Sequence, residues 1–514
     1  MHRPEEQSVL LRAARLDLAP RSVVVADGVE YGLARLADGD WRLAVLAATP
    51  EELHGFAGER SQHEGHALLV GPCHAANAAA LRARLAWLQP RVLGLQPSAG
   101  LGDRLGLATP GHVRAVRAVG GGIAPIFAQQ SIREMQRTGR TPQQVMDDAT
   151  WGVFAEGWRD GFGADADHLK TLEDVEQCVA AGYTFYTVDP GAYVDDRAAS
   201  ADPPELERLF AALPWDALED RPADLLRRYA DLRLELEGHR VALDQVAARR
   251  AAVKYGRAVA HVARMYRHLL AVAGDRPVEL EVSVDETTYP TSHAEHVYLA
   301  SELQRLGVRW VSLAPRYVGR FEKGVDYVGD LAAFEADFAA HAAIARQFGP
   351  YKLSLHSGSD KFSIYPIVAR QSRGLAHLKT AGTSYLEALR AIAHLEPALF
   401  RAIYAFARQQ YPTDRASYHV SAELERAPQP EELDDAGLPT LLEHFHAREI
   451  LHVTFGSVLT ARTSTGELRF GARLMQVLQR HPEEYARHLE THFVRHLQPF
   501  AAVLHHARQG ASGS

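Results

Sequence analysis

Cysteine is almost missing from this chain: Cys73 and Cys178 are the two thiols among 514 residues. Two thiols cannot build a disulfide framework or a four-thiolate zinc site, which points to a reducing compartment. Long apolar runs are missing as well. The opening MHRPEEQSVLLRAARLDLAP interrupts its apolar residues with Glu, Arg and Asp every few positions, and no stretch of about 18 apolar residues follows. Neither a secretory leader nor a membrane span is expected, and the chain is placed in the cytoplasm. Charge of one sign is equally scarce. Lys and Arg number 56 against 64 Asp and Glu, a formal net charge of −8 with no block of like charge. That balance excludes the basic footprint of a nucleic-acid binder or of a protein drawn to anionic membranes. What remains as partner is a small molecule or another protein chain, a second copy of this one included.

The length is well beyond one ordinary domain of ~100–200 residues. Strand-like runs at Val23-Val24-Val25 and Arg42–Leu46, parted by a turn at Asp38-Gly39-Asp40 and followed by helical patterns, suggest a small N-terminal α/β domain over 1–90. From Val92 the texture changes to short apolar strands, each followed by a helix: VLGLQPS, PIFAQQS, GFGADADH, YTFYTVDP, ELEVSVDE, RWVSLAPR, YKLSLHSG and AHLKTAGT. Such βα alternation implies parallel strands with right-handed crossovers. Eight strands close a (β/α)8 barrel, and a barrel over 91–460 is the preferred reading, although an open doubly wound sheet would give the same texture. Between about 190 and 273 no strand pattern is evident, only periodic Leu, Ala and Arg, so a helical insertion is expected there. Residues 461–514 read as a C-terminal helical segment ending in a disordered QGASGS tail.

Chemistry concentrates at strand ends. In 278–285, Val278, Leu280, Val282 and Val284 alternate with Glu279, Glu281, Ser283 and Asp285. On a barrel strand the apolar set meets the helices, and the other set puts carboxylates into the interior, where they need a partner, a metal or a proton. A half-wet antiparallel strand would carry the same pattern. His356 and Arg316 fall at the C-terminal ends of their strands, where barrel sites are assembled. The densest constellation is GFGADADHLKT, with Asp165, Asp167 and His168 together and Lys170 just beyond, a set suited to a divalent metal. Arg316, Lys361 and Lys379 are the cationic candidates for gripping a carboxylated substrate. HAEH at 293–296 lacks the HExxH spacing, and HFH at 444–446 follows a helical pattern, so neither is given a ligand role. The GGG at 120–122 precedes a strand, on the wrong side for a dinucleotide fingerprint, so NAD is not expected.

From about Gly102 to Leu459 the sequence resembles the tagaturonate epimerase family, through GDRLGLATPGHVRA, IFAQQSIREMQRTGRTP, DDATWGVFAEGW, GFGADADHLKT, EVSVDET, EKGVDY, LHSGSDKFSIYP, HLKTAGTSYLEA and HVTFGSVL. The resemblance implies a metal-dependent enzyme that interconverts D-tagaturonate and D-fructuronate, some relatives acting on the matching ketohexoses. It implies Asp167 as proton acceptor, Glu281 as proton donor and His168 as a metal ligand. His356 is the second ligand expected, and the third lies between Glu322 in EKGVDY and His377 in HLKTAGT. The cofactor expected is one divalent ion: Mn, Fe, Ni, Co or Zn. The two hexuronates differ at a carbon that the ketone does not acidify, so enolisation alone cannot invert it. Retro-aldol cleavage, rotation of the aldehyde and re-addition is the economical route. A metal-dependent aldolase or ketose isomerase on the same barrel, or a sugar-acid binding protein without turnover, are the alternatives.

Overall fold

A computed structural model describes residues 9–36, 40–357 and 359–511. Asp38 and Gly39 of the expected turn lie outside these residues, as do the last three of the expected tail. The final helix, Pro482–Ala511, continues into that tail.

The first strands are β1 (Asp17–Leu18), β2 (Val24–Ala26), β3 (Val29–Arg35), β4 (Trp41–Ala47), β5 (Glu59–His63) and β6 (His66–Pro72). They form one antiparallel sheet ordered β1-β3-β4-β6-β5, with β2 on β3. Alternation divides its faces: Leu33, Leu43, Val45 and Leu69 join the main core, whereas Ala34, Ala44, Leu46 and Leu68 pack on Leu11. Helix Ala75–Arg84 follows the sheet.

The next strands are β7 (Ser98–Gly100), β8 (Ala124–Ser131), β9 (Gly163–Leu169), β10 (Phe185–Val188), β11 (Asp231–Leu236), β12 (His239–Asp244), β13 (Glu279–Ser283), β14 (Ser312–Ala314), β15 (Lys352–Leu355) and β16 (Ala376–Lys379). Eight of them close a barrel in the order β10-β13-β14-β15-β16-β7-β8-β9, parallel at every described pairing. Closure decides against the open sheet. The first barrel strand starts later than the run at 92–98 suggests, because Leu93 donates its N–H to the Glu279 carboxylate at 3.0 Å, as Gly94 also does. That segment therefore plugs the N-terminal end of the barrel.

The stretch at 190–273 is not wholly helical. β11 and β12 form an antiparallel hairpin in which Leu232, Leu234 and Leu236 alternate with Arg233 and Glu235. Its two-residue turn, Glu237-Gly238, has φ of 50° and 88°, the left-handed pair that a tight hairpin requires. Helix Gln245–Ala273 then returns to β13 and packs against Leu172–Ala181 and His293–Arg305, taking the place of a barrel outer helix. Asp244 caps it by accepting from the Ala247 N–H at 2.8 Å. Among the described residues no helix is long and apolar enough to cross a membrane.

Candidate active site

The inner face of β13 behaves as its alternation requires. Leu280 and Val282 face the helices, and Glu281, fully buried, points into the barrel beside Thr187 of β10, whose hydroxyl donates to Glu281 Oε1 at 3.1 Å. On β9 the same rule turns Asp165 and Asp167 inward. His168 should then face outward, but it does not. Tyr186 pairs with Ala166 and Val188 with Leu169, so β9 carries one extra residue, and His168 takes the left-handed φ of 55°. This bulge re-aims His168 to the same mouth as Asp167. Its Nδ1 lies 3.2 Å from Asp189 Oδ2 and its Nε2 lies 3.7 Å from Asp167 Oδ1.

His356 arrives from the end of β15. Its Nδ1 is 3.2 Å from Ser283 Oγ and 3.4 Å from Asp285 Oδ1, and its Nε2 is 2.7 Å from Glu281 Oε1. The His168 and His356 rings stand edge to face, 5.0 Å between centres. One ligand atom from each of Asp167, His168 and His356 lies within 4.8 Å of the others. Both imidazoles thus have Nδ1 engaged by a carboxylate and Nε2 turned to the cluster, the arrangement in which an outer carboxylate orients a metal-binding imidazole. Two nitrogens with oxygen neighbours suit Zn, Mn, Fe, Co or Ni.

Glu322 is not brought there. Its carboxylate accepts from the Ser421 N–H at 2.9 Å and from the Ser421 hydroxyl at 2.7 Å, on the long loop after β14. His377, the alternative third ligand, lies deeper on β16 with Nδ1 2.9 Å from Ser98 Oγ, and burial pushes it down to about 3. Neither belongs to the cluster.

The three cationic candidates separate. Lys379 is enclosed: its Nζ lies 2.6 Å from Asp167, 2.9 Å from Asp165 and 3.0 Å from Glu281, and donates to the Thr187 hydroxyl at 2.6 Å. Its ammonium is taken up by these four oxygens. Lys361 is spent on backbone carbonyls, those of Glu322 at 2.7 Å and Ser359 at 3.1 Å and that of Val325, and burial pushes it down to about 8. Arg316 lines the outer half of the cleft, its guanidinium without a partner among the described residues.

Electrostatics follow from this packing. Burial would raise Asp167, but Lys379 outweighs it and holds the carboxyl well below the usual range. Burial pushes Asp165 up to about 7 against the pull of the same lysine, so of the carboxyls around Lys379 it is the one that accepts a proton most readily. Burial would lower His356, yet Asp285 and Glu281 raise it to about 10. A site that draws a proton so strongly has a surplus of negative charge for a cation to neutralise. Gln129 steadies Asp167, its Nε2 donating to Oδ2 at 3.1 Å. A Cβ on Gly100 would meet Gln129 Cγ at 2.9 Å, which explains the glycine on β7.

The sequence reading missed Arg133 and Lys323. With His356, Ser357 and Tyr418 they line both halves of the cleft above the cluster. Arg133 pairs with Glu286 at 3.0 Å, whereas Lys323 has no hydrogen bond or ion pair among the described residues. Its position next to Glu322 in EKGVDY was the available signal.

The tagaturonate epimerase family model matches residues 30–500. A tagaturonate/fructuronate epimerase of Thermotoga maritima is 41% identical over 471 residues, covering 92% of this chain and 94% of that protein. Crystal structures of a fructuronate-tagaturonate epimerase from Cohnella laeviribosi, native and with glycerol, superpose with a TM-score of 0.89 at 36% identity, covering 95% of this chain and 97% of theirs.

Proposed function

The chain belongs to the tagaturonate epimerase family, and on that premise we propose that it interconverts D-tagaturonate and D-fructuronate with a divalent metal, by cleaving and re-forming the bond next to the inverted carbon. The observation that carries this reading is the meeting of the His168 and His356 imidazoles with the Asp167 and Glu281 carboxylates at the barrel mouth. Two nitrogen donors oriented by Asp189 and Asp285 fit a transition-metal ion, which would be held by His168 and His356. Such an ion, when bound, supplies Lewis acidity for the negative charge that develops on the substrate oxygens.

Asp167 serves as base. Lys379 keeps it ionised, so it takes the proton of the hydroxyl on the carbon to be inverted. The adjoining carbon–carbon bond breaks, its electron pair moving toward the ketone, and the former hydroxyl becomes an aldehyde. After the aldehyde turns over, the bond re-forms on its other face, and the new alkoxide takes up, on the Glu281 side, the proton that Asp167 accepted, passed along the Lys379 ammonium that touches both carboxylates. Lys379 bridges the two carboxylates, so the proton balance closes within one buried group. Arg316 and Lys323 grip the substrate carboxylate at the outer end of the cleft, where both cations lack hydrogen-bonding or ion-pair partners among the described residues.

The test is NMR of tagaturonate, fructuronate, tagatose and fructose, each incubated with metal-loaded protein. Each hexuronate should be converted to the other, and EDTA should abolish the conversion until metal is restored. Three-carbon fragments without epimer would refute this reading in favour of an aldolase.

A further inference from the structure

The HAEH run finds its partners in space, outside the active site. His293 stands at the start of helix His293–Arg305, and Asp337 and His341 lie one turn apart on helix Leu331–Gln347. His293 Nε2 lies 3.1 Å from Asp337 Oδ1, and His341 Nε2 lies 3.7 Å from the same oxygen. One ligand atom from each of the three residues lies within 4.8 Å of the others. A tetrahedral ion with bonds of about 2.0–2.2 Å holds its ligand atoms roughly 3.4 Å apart. The two measured separations fall on either side of that value.

Two further observations point to a ligand. His341 is fully buried, and its Nε2 is a polar atom without a hydrogen-bond partner among the described residues, turned toward Asp337. The other side of the ring is supported. His341 Nδ1 lies 2.8 Å from His296 Nδ1, and His296 Nε2 lies 2.7 Å from the Tyr351 hydroxyl. With His341 donating to His296 and His296 donating to Tyr351, the His341 Nε2 lone pair is left for a cation. Asp337 is likewise oriented, its Oδ2 accepting from the Val318 N–H at 3.3 Å. The His293 side chain is 34% exposed, which gives the site an entry path and a position for water.

We propose that His293, Asp337 and His341 form a second divalent-metal site on the outer wall of the barrel, taking a transition cation that accepts nitrogen and oxygen ligands, with Zn²⁺ the first choice. Its role is structural. It clasps two outer helices and, through Asp337 and Val318, the loop that carries Arg316 to the mouth. The HAEH spacing fails as a single-helix zinc motif because its first histidine pairs with a neighbouring helix, while His296 supports the ring of His341 from behind.

The test counts metal. The full chain is stripped with chelator, equilibrated with Zn²⁺, desalted and analysed for bound zinc, alongside His293→Gln and His168→Ala. Two equivalents in the parent and one in each variant are expected. One equivalent in the parent and none in His293→Gln would leave this site standing and fail the active-site assignment instead. An unchanged zinc count in His293→Gln overturns the proposal, as does a parent that binds none. Asp337→Asn repeats the measurement should His293→Gln fold poorly. With Co²⁺ in place of Zn²⁺, the visible absorption of tetrahedral cobalt should weaken in either variant, and an unchanged spectrum would contradict the assignment.

Discussion

Replacing Lys379 by Met removes one positive charge from among three carboxylates while keeping an unbranched side chain out to Cε. At an effective dielectric of about 20, unit charges this close interact by roughly 6 kcal/mol, equivalent to about four pKa units for each carboxyl. The three separations are 2.6, 2.9 and 3.0 Å. Without the ammonium the trio cannot stay ionised at neutral pH, and Asp167, held low by Lys379, takes up a proton. The base is then lost. We expect kcat to fall about 10²- to 10⁴-fold, for tagaturonate and for a neutral ketose alike. The acid limb of kcat/KM should move to higher pH, with part of the rate returning as pH rises. Removing one partner of a buried ion pair also costs about 3–5 kcal/mol of stability, which urea unfolding reads separately. The assay is the pH profile of both substrates. An acid limb left in place, with KM rising for the uronate alone, would refute this reasoning and restore Lys379 as the substrate's carboxylate partner.

Three further outcomes follow from the same geometry. Arg316→Ala and Lys323→Ala should each lower the ratio of uronate to ketose turnover by roughly 10- to 100-fold, a charge-assisted contact of about 1.5–3 kcal/mol, whereas Lys361→Ala should lower both substrates together by loosening the loop it ties. His168→Ala should lose its active-site metal, but Asp167→Asn should keep the metal and lose turnover; a metal-free Asp167→Asn protein would make Asp167 a ligand and not the base. Burial, with Glu322 beside it, pushes Glu449 up from 4.5 to about 8. A carboxyl raised in the folded state favours folding below 4.5, and that advantage is lost as pH rises through about 8, amounting to roughly 2 kcal/mol between pH 6 and 8. Urea unfolding at the two pH values should show the loss in the parent and its absence in Glu449→Gln.

What could be read from the sequence was whatever depends on local periodicity. The barrel strands announce themselves as short apolar runs before helices, and the inward aim of Glu281 follows from alternation on β13 alone. His356 was legible as a strand-end residue. The capture of Lys379 was not, because closing the barrel is what brings β16 within reach of Asp165 and Asp167 on β9 and of Glu281 on β13. The bulge that turns His168 inward depends on pairing with β10, which no single strand reveals. The place of Glu322 was hidden for a similar reason: the long loop after β14 carries it to Ser421, 99 residues away. The hairpin at 231–244, in contrast, was readable in its alternating leucines and its Glu237-Gly238 turn, hidden only by the helical texture around it.

Epimerisation by breaking and re-forming a carbon–carbon bond has its own signature in D2O: metal-loaded protein converts tagaturonate, and NMR reads the hydrogen on the inverted carbon of the fructuronate formed. In the scheme drawn here that hydrogen never leaves its carbon, so fructuronate should appear with protium there. Deuterium at the inverted carbon would show that the C–H bond is broken instead, and would contradict the roles given to Asp167 and Glu281.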